Sequence, residues 1–140
     1  SKASAESMIS NEYVQTGLIT GKAWDTTCHW IEDSLKSINA SARLRDSRYY
    51  GNHSDSLAPA NENSGTKRTA GYSDKWRVKN IYDLAGNVWE WTSEAYSSYF
   101  ISRGGGYNLG GIERPVSYRA DDNASSMGYH VGFRSRLYIK

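Results

Sequence analysis

Asn80-Ile81-Tyr82-Asp83-Leu84-Ala85-Gly86-Asn87-Val88-Trp89-Glu90-Trp91-Thr92 is the stretch on which the reading of this chain turns. Val88, Trp89 and Trp91 predict a strand with alternate residues buried. Gly86-Asn87 supplies a turn immediately before it. Working upstream, Thr20 is a good N-cap, and Ala23, Trp24, Thr27, Cys28 and Ile31 recur at i, i+3, i+4. That pattern predicts an amphipathic helix over 21–33 with one buried face. Glu32 and Asp33 lie at the wrong end for the helix dipole, so the helix is expected to fray there. A shorter helix is expected over 3–11, with Gly17 breaking the pattern after it. Trp24, Trp89 and Trp91 are the expected core tryptophans.

Between these elements, residues 34–70 are rich in Ser, Asn, Gly, Asp and Ala and poor in apolar side chains. They read as a long loop, either a solvated insertion or a functional lid. Downstream, 95–140 reads as short strands joined by irregular loops, punctuated by Gly104-Gly105-Gly106, Gly110-Gly111, Pro115 and Gly128. Val131–Arg134 and Arg136–Ile139 read as a terminal strand. Helices first and strands after them make the class α+β.

The chain has 140 residues, the size of one domain over 1–140. Its net charge of +2 argues against nucleic acid as a partner, which calls for a clustered basic excess. No apolar run approaches the ~18 residues of a membrane-spanning helix, so no membrane insertion is expected. Tyr and Trp, at 11 and 5, far outnumber the 2 Phe. These are side chains with an apolar body and a polar tip, suited to half-wet sites.

Four pieces of sequence in this order resemble the formylglycine-generating-enzyme (sulfatase-modifying factor) family, whose fold is a C-type-lectin-like variant. They are Leu18–Asp25, Asn80–Thr92, Arg103-Gly104-Gly105 and Gly132-Phe133-Arg134. The resemblance spans 18 to 138. It implies short antiparallel strands, two helices and long irregular loops. The family's opening strands have no counterpart here, so residues preceding Ser1 are a candidate for completing the fold. Gly106 stands where the family usually has Ser, while Tyr107 keeps the aromatic.

The enzymes resembled here bind copper through two cysteines shortly after the Arg-Gly-Gly motif, and thiolates suit Cu(I). No Cys follows Arg103; the only one, Cys28, falls on the buried helix face. The related iron-dependent sulfoxide synthases need converging histidines, and His29, His53 and His130 are scattered over a helix, a loop and a Gly-rich segment. No Gly-x-Ser-x-Gly elbow occurs. Catalysis is therefore not expected, no cofactor is required, and a divergent metal-dependent oxidase is the alternative. The resemblance also implies a structural Ca2+ held by the Asp83 and Glu90 side chains and the Gly86 and Val88 carbonyls. Oxygen ligands around a tight turn suit that ion. The other reading has Asp83 capping the turn and Glu90 pairing with a basic residue. Arg103, Arg119 and Arg134 are expected to tie strands together.

Residues 95–130 mix Tyr, Ser, Gly and Asn in the manner of antibody paratopes. Tyr96, Tyr99, Tyr107, Asn108, Asp121, Asp122, Asn123, Tyr129 and His130 are the expected ligand-facing residues. The sequence is also similar to the variable proteins of diversity-generating retroelements, which end near a Gly-Phe-Arg motif and build their ligand surface just before it. The expected function is a non-catalytic binding module displaying a Tyr-rich surface. Its partner would be a protein or glycan on a cell surface, and its setting extracellular, on a cell surface or on a virion.

Overall fold

The computed structural model describes residues 12–58, 64–123 and 128–139. In chain order the elements are β1 (Val14–Leu18), α1 (Gly21–Ile38), a 3-10 turn at Asp74–Trp76, β2 (Arg77–Val78), β3 (Ile81–Tyr82), β4 (Trp89–Tyr96), β5 (Tyr99–Arg103), β6 (Arg119–Asn123), β7 (Val131–Phe133) and β8 (Ser135–Ile139). The helix expected over 3–11 lies outside the described residues, among which α1 is the one α-helix.

α1 is a helix because its apolar stripe is regular. Trp24, Cys28, Ile31 and Leu35 are all buried, and Thr20 Oγ1 accepts the Ala23 N–H at 3.1 Å as the N-cap. Replacing Thr20 with Ala removes that bond and is expected to lower stability by about 1 kcal/mol, readable in a urea titration. The helix does not fray at Glu32-Asp33 but continues to Ile38. Leu35 is fully buried, which contributes roughly 1.5–3 kcal/mol, whereas an unfavourable dipole contact costs only ~0.3–1. Lys36 in the last turn also pairs with Asp33 at 3.4 Å.

The main sheet has the order β6-β5-β4-β7. β4, β5 and β6 form an antiparallel meander, but β7 joins β4 in parallel, so the strands are not all antiparallel. The segment expected as one terminal strand divides at Arg134. β7 stays in the main sheet, while β8 pairs with β1 in a separate two-stranded ribbon. The division has a local cause: Arg134 reaches Glu90 of β4 with its side chain and accepts the Ile19 N–H with its carbonyl at 3.2 Å. Gly17, expected to break the chain, sits inside β1 opposite Arg136.

The described part of the loop after α1 is not a solvated insertion. Ala42, Ser47, Tyr50, Asn52 and His53 are fully or almost fully buried within it. Tyr50 packs into the core with Trp24, Ile31, Leu35, Leu84 and Val116. Its hydroxyl donates to the Arg43 carbonyl at 2.9 Å, and Ser47 Oγ accepts the Val116 N–H at 2.8 Å. Ser47 and Asn52 can line the core because each finds hydrogen-bond partners there. Among the tryptophans, Trp24 and Trp89 are buried as expected, but Trp91 is only half-buried. Trp76 takes a core place that the sequence reading did not give it, being 1% exposed.

Candidate functional site

The sequence motifs converge on a few internal contacts. Arg103 of Arg-Gly-Gly is buried and paired with Asp25 of α1. Arg119 of β6 pairs with Glu94 of β4. Arg134 of Gly-Phe-Arg holds Glu90 of Trp-Glu-Trp through both carboxylate oxygens, at 2.8 Å each, and donates to the Tyr82 carbonyl at 2.9 Å. The three arginines therefore tie elements together.

Asn52 and Asn87 form a buried amide node beneath the Gly86-Asn87 turn. Asn52 Nδ2 donates to the Thr66 carbonyl at 2.8 Å and to Asn87 Oδ1 at 3.3 Å, and its Oδ1 accepts the Gly65 N–H at 3.1 Å. Asn87 exchanges two bonds with the backbone of Arg68. The node joins three distant segments and fixes the base of β4.

The nine expected ligand-facing residues do not form one surface. Tyr96, Tyr99 and Asn123 meet at the far end of the meander, where Tyr96 is opposite Tyr99 and Tyr99 is opposite Asn123. Asp121 shares their face, but Asp122 points to the other one with Phe100, because successive strand residues alternate. Tyr107, Asn108, Tyr129 and His130 gather instead at the base of β4. The Tyr107 N–H donates to the Asn87 carbonyl at 2.9 Å and the Trp89 N–H to the His130 carbonyl at 2.8 Å. Seven residue steps of β4, about 23 Å at ~3.3 Å each, separate the two groups. Tyr96, Tyr99 and Tyr129 are 70%, 43% and 90% exposed. Lys67 Nζ caps the Tyr129 carbonyl at 3.2 Å and lies 5.9 Å from the ring centroid. Ser125 and Ser126 of the same Tyr-rich stretch lie outside the described residues.

Sequence reasoning missed the open face of the main sheet. Trp91 of β4, Phe133 of β7 and Phe100 of β5 share one side, with Phe100 and Phe133 39% and 38% exposed. The strand register alone could have revealed that row, and the register was not readable from sequence. A groove of about 540 Å3 also lies beside α1, lined by Cys28, Asp25, His29, Arg43, Arg45 and neighbours. Burial pushes the Cys28 thiol up to about 12, against the pull of Arg103. It is therefore protonated at neutral pH, a poor nucleophile and a poor metal ligand.

His53 is fully buried under the loop that carries Tyr107, and neither ring nitrogen makes a hydrogen bond of good geometry. Burial pushes it down to about 4, against the pull of Asp55, of the Gly106 and Leu109 backbone and of Asp46. The folded state thus resists protonation that the unfolded chain accepts below about pH 6.5. The contribution of His53 is fully present above that pH and declines as pH falls toward 4, by about 3 kcal/mol in all. Urea midpoints measured from pH 7 to 4 check this, and His53→Gln should flatten that part of the slope.

For the implied calcium, the residues present do not fit the ion. Both Glu90 oxygens are taken by Arg134, and Asp83 Oδ2 already accepts the Gly71 N–H at 2.8 Å. Of the four carboxylate oxygens of Asp83 and Glu90, Asp83 Oδ1 alone is without a hydrogen bond. Among the described residues no group of three or more His, Cys, Asp or Glu side chains converges.

An α+β domain with one long helix, a four-stranded mixed sheet and irregular connections is what these contacts define. The sulfatase-modifying factor enzyme 1-like domain family matches residues 9–137 of the chain. The protein belongs to that family, and its fold is C-type-lectin-like. No curated protein matches the chain. Among the described residues no helix is long and apolar enough to cross a membrane.

Proposed function

We propose that this domain is a non-catalytic binding module that presents exposed tyrosines to a protein or glycan on a cell surface. The observation that carries the reading is the exposure of Tyr96, Tyr99 and Tyr129 on a scaffold whose motif arginines Arg103 and Arg134 pair internally with Asp25 and Glu90. Tyr offers large contact area at low rotamer cost, and neighbouring Asn and Ser adapt their hydrogen bonds. The protonated, buried Cys28 and the absence of a cysteine after Arg103 speak for binding over copper-dependent oxidation. The sharpest form of the proposal is a receptor binder diversified by a retroelement, secreted, on a cell surface or on a phage tail. That form fails if the locus carries no template repeat and reverse transcriptase.

A glycan array probed with the purified domain, alongside metal analysis, tests the reading. Because Tyr96 and Tyr129 lie at opposite ends of β4, an array signal should be strongly weakened by Tyr96→Ala or by Tyr129→Ala according to which end holds the glycan, with stability changing by less than about 0.5 kcal/mol in either variant; a signal that survives both overturns the reading. Stoichiometric copper or iron, with oxygen consumption on a thiol peptide, would establish the divergent oxidase instead.

A further inference from the structure

We propose that Arg134 serves as the built-in cation of the Asp83–Glu90 corner, so that this corner is held by the chain's own charge and takes no metal ion. Glu90 and Asp83 are 7% and 5% exposed and stand close enough to repel one another. Two buried carboxylates need a compensating positive charge. The Arg134 guanidinium provides it with a geometry an ion would have to displace. Nε and Nη2 take one Glu90 oxygen each, and Nη2 also meets the Tyr82 carbonyl. Such a bidentate fork is the strong form of carboxylate pairing. Asp83 is held separately, its Oδ2 accepting the Gly71 N–H at 2.8 Å while its Oδ1 makes no hydrogen bond, and the Arg134 charge favours its ionised form at longer range.

A calcium ion in this corner would need six to eight oxygens within ~2.3–2.6 Å. It would find Glu90 occupied and a second cation within a few ångströms in a poorly solvated place. Displacing the guanidinium would break a bidentate pair to a Glu90 side chain that is only 9% exposed, together with the bond to the Tyr82 carbonyl. The corner is therefore an alternative solution to the problem that a metal solves, and the Gly-Phe-Arg motif supplies its central part. Where β7 ends and β8 begins, Arg134 also fixes the direction in which the chain leaves the main sheet, so the charge and the topology rest on one residue.

Thermal unfolding of the intact domain in excess EDTA, and then in millimolar Ca2+, tests this directly. The melting temperature should move by less than about 1 °C, whereas an ion held at a hundredfold its Kd would raise it by about 5–15 °C. Arg134→Met keeps most of the side chain's length and removes the charge; it should melt well below the parent. Arg134→Met combined with Glu90→Leu should recover a substantial part of that loss, since the orphaned carboxylate is then gone. A calcium-dependent rise of several degrees in the parent, abolished by Glu90→Gln, would overturn the proposal. So would an Arg134→Met protein as stable as the parent. Should Arg134→Met fail to fold, the calcium comparison on the parent still decides.

Discussion

Replacing Trp24 with Ala is expected to remove about 3–5 kcal/mol of stability, the range for deleting a buried large aromatic. Trp24 is 0% exposed, and its ring lies at the centre of the core on α1, against Gly104. Its Nε1–H donates to the Val116 carbonyl at 3.0 Å, a buried bond across 92 residues of sequence. The substitution leaves a cavity and an unsatisfied carbonyl, and both penalties act together. Against a total of roughly 5–15 kcal/mol for a domain, that loss brings the fold near its limit. A urea titration should show the midpoint falling with little change in slope. Trp24→Phe separates the two penalties, since it restores much of the volume and not the N–H. Trp30→Ala, on the solvent side of the same helix at 54% exposure, should cost far less, mainly its contact with Lys79 at 4.4 Å. If Trp24→Ala and Trp30→Ala prove equally mild, the core has been placed on the wrong face of α1.

The buried face of α1 was legible because a helix repeats every 3.6 residues and Trp24, Cys28 and Ile31 follow that period. The turn at Gly86-Asn87 was legible for a similar reason, since few residue pairs adopt two successive left-handed conformations. The loop after α1 was not. Asn52, His53 and Ser47 look solvated in a sequence, and they are buried only because partners far along the chain satisfy or enclose them. Asn52 finds Thr66 and Asn87, while Ser47 finds Val116. No local pattern encodes such pairings. The ligand-facing residues show the same limit from the other side. Composition picked out Tyr96, Tyr99 and Tyr129, which are exposed, and Tyr107, which is half-buried, but sequence distance could not say that Tyr96 and Tyr129 lie at opposite ends of β4. Nor could it say that Asp121 and Asp122, adjacent in the chain, face opposite ways. Arg134 and Glu90 were each legible as motif residues, and their contact spans 44 residues.

The second large effect is expected at Gly86. Its φ is +72°, in the region that favours glycine, and a Cβ there would lie 2.1 Å from the Asn52 carbonyl oxygen and 2.5 Å from its carbon. Both neighbours are backbone, so they cannot swing aside as a flexible side chain would. Left-handed backbone costs roughly 1–2 kcal/mol for an L side chain, and each disturbed hydrogen bond adds about 1. Three bonds depend on this approach: Gly86 N–H to the Gly104 carbonyl at 2.7 Å, Asn87 N–H to the Asn52 carbonyl at 2.8 Å, and Asn52 N–H to the Ala85 carbonyl at 3.3 Å. Gly86→Ala should therefore destabilise by about 3–5 kcal/mol. Its effect should differ in kind from that of Trp24→Ala. The node also carries the Tyr107 backbone through the Asn87 carbonyl, so hydrogen exchange should rise first at Tyr107 and around Arg68. In Trp24→Ala the loss should fall on α1. Asn87→Gly keeps a residue suited to the left-handed backbone and deletes the amide that clamps Arg68, and it should release the 64–68 segment. A Gly86→Ala midpoint within about 1 kcal/mol of the parent would mean that the Asn52 backbone can withdraw. The turn would then be a consequence of the fold around it, and the Asn52–Asn87 node could not be what positions the base of β4.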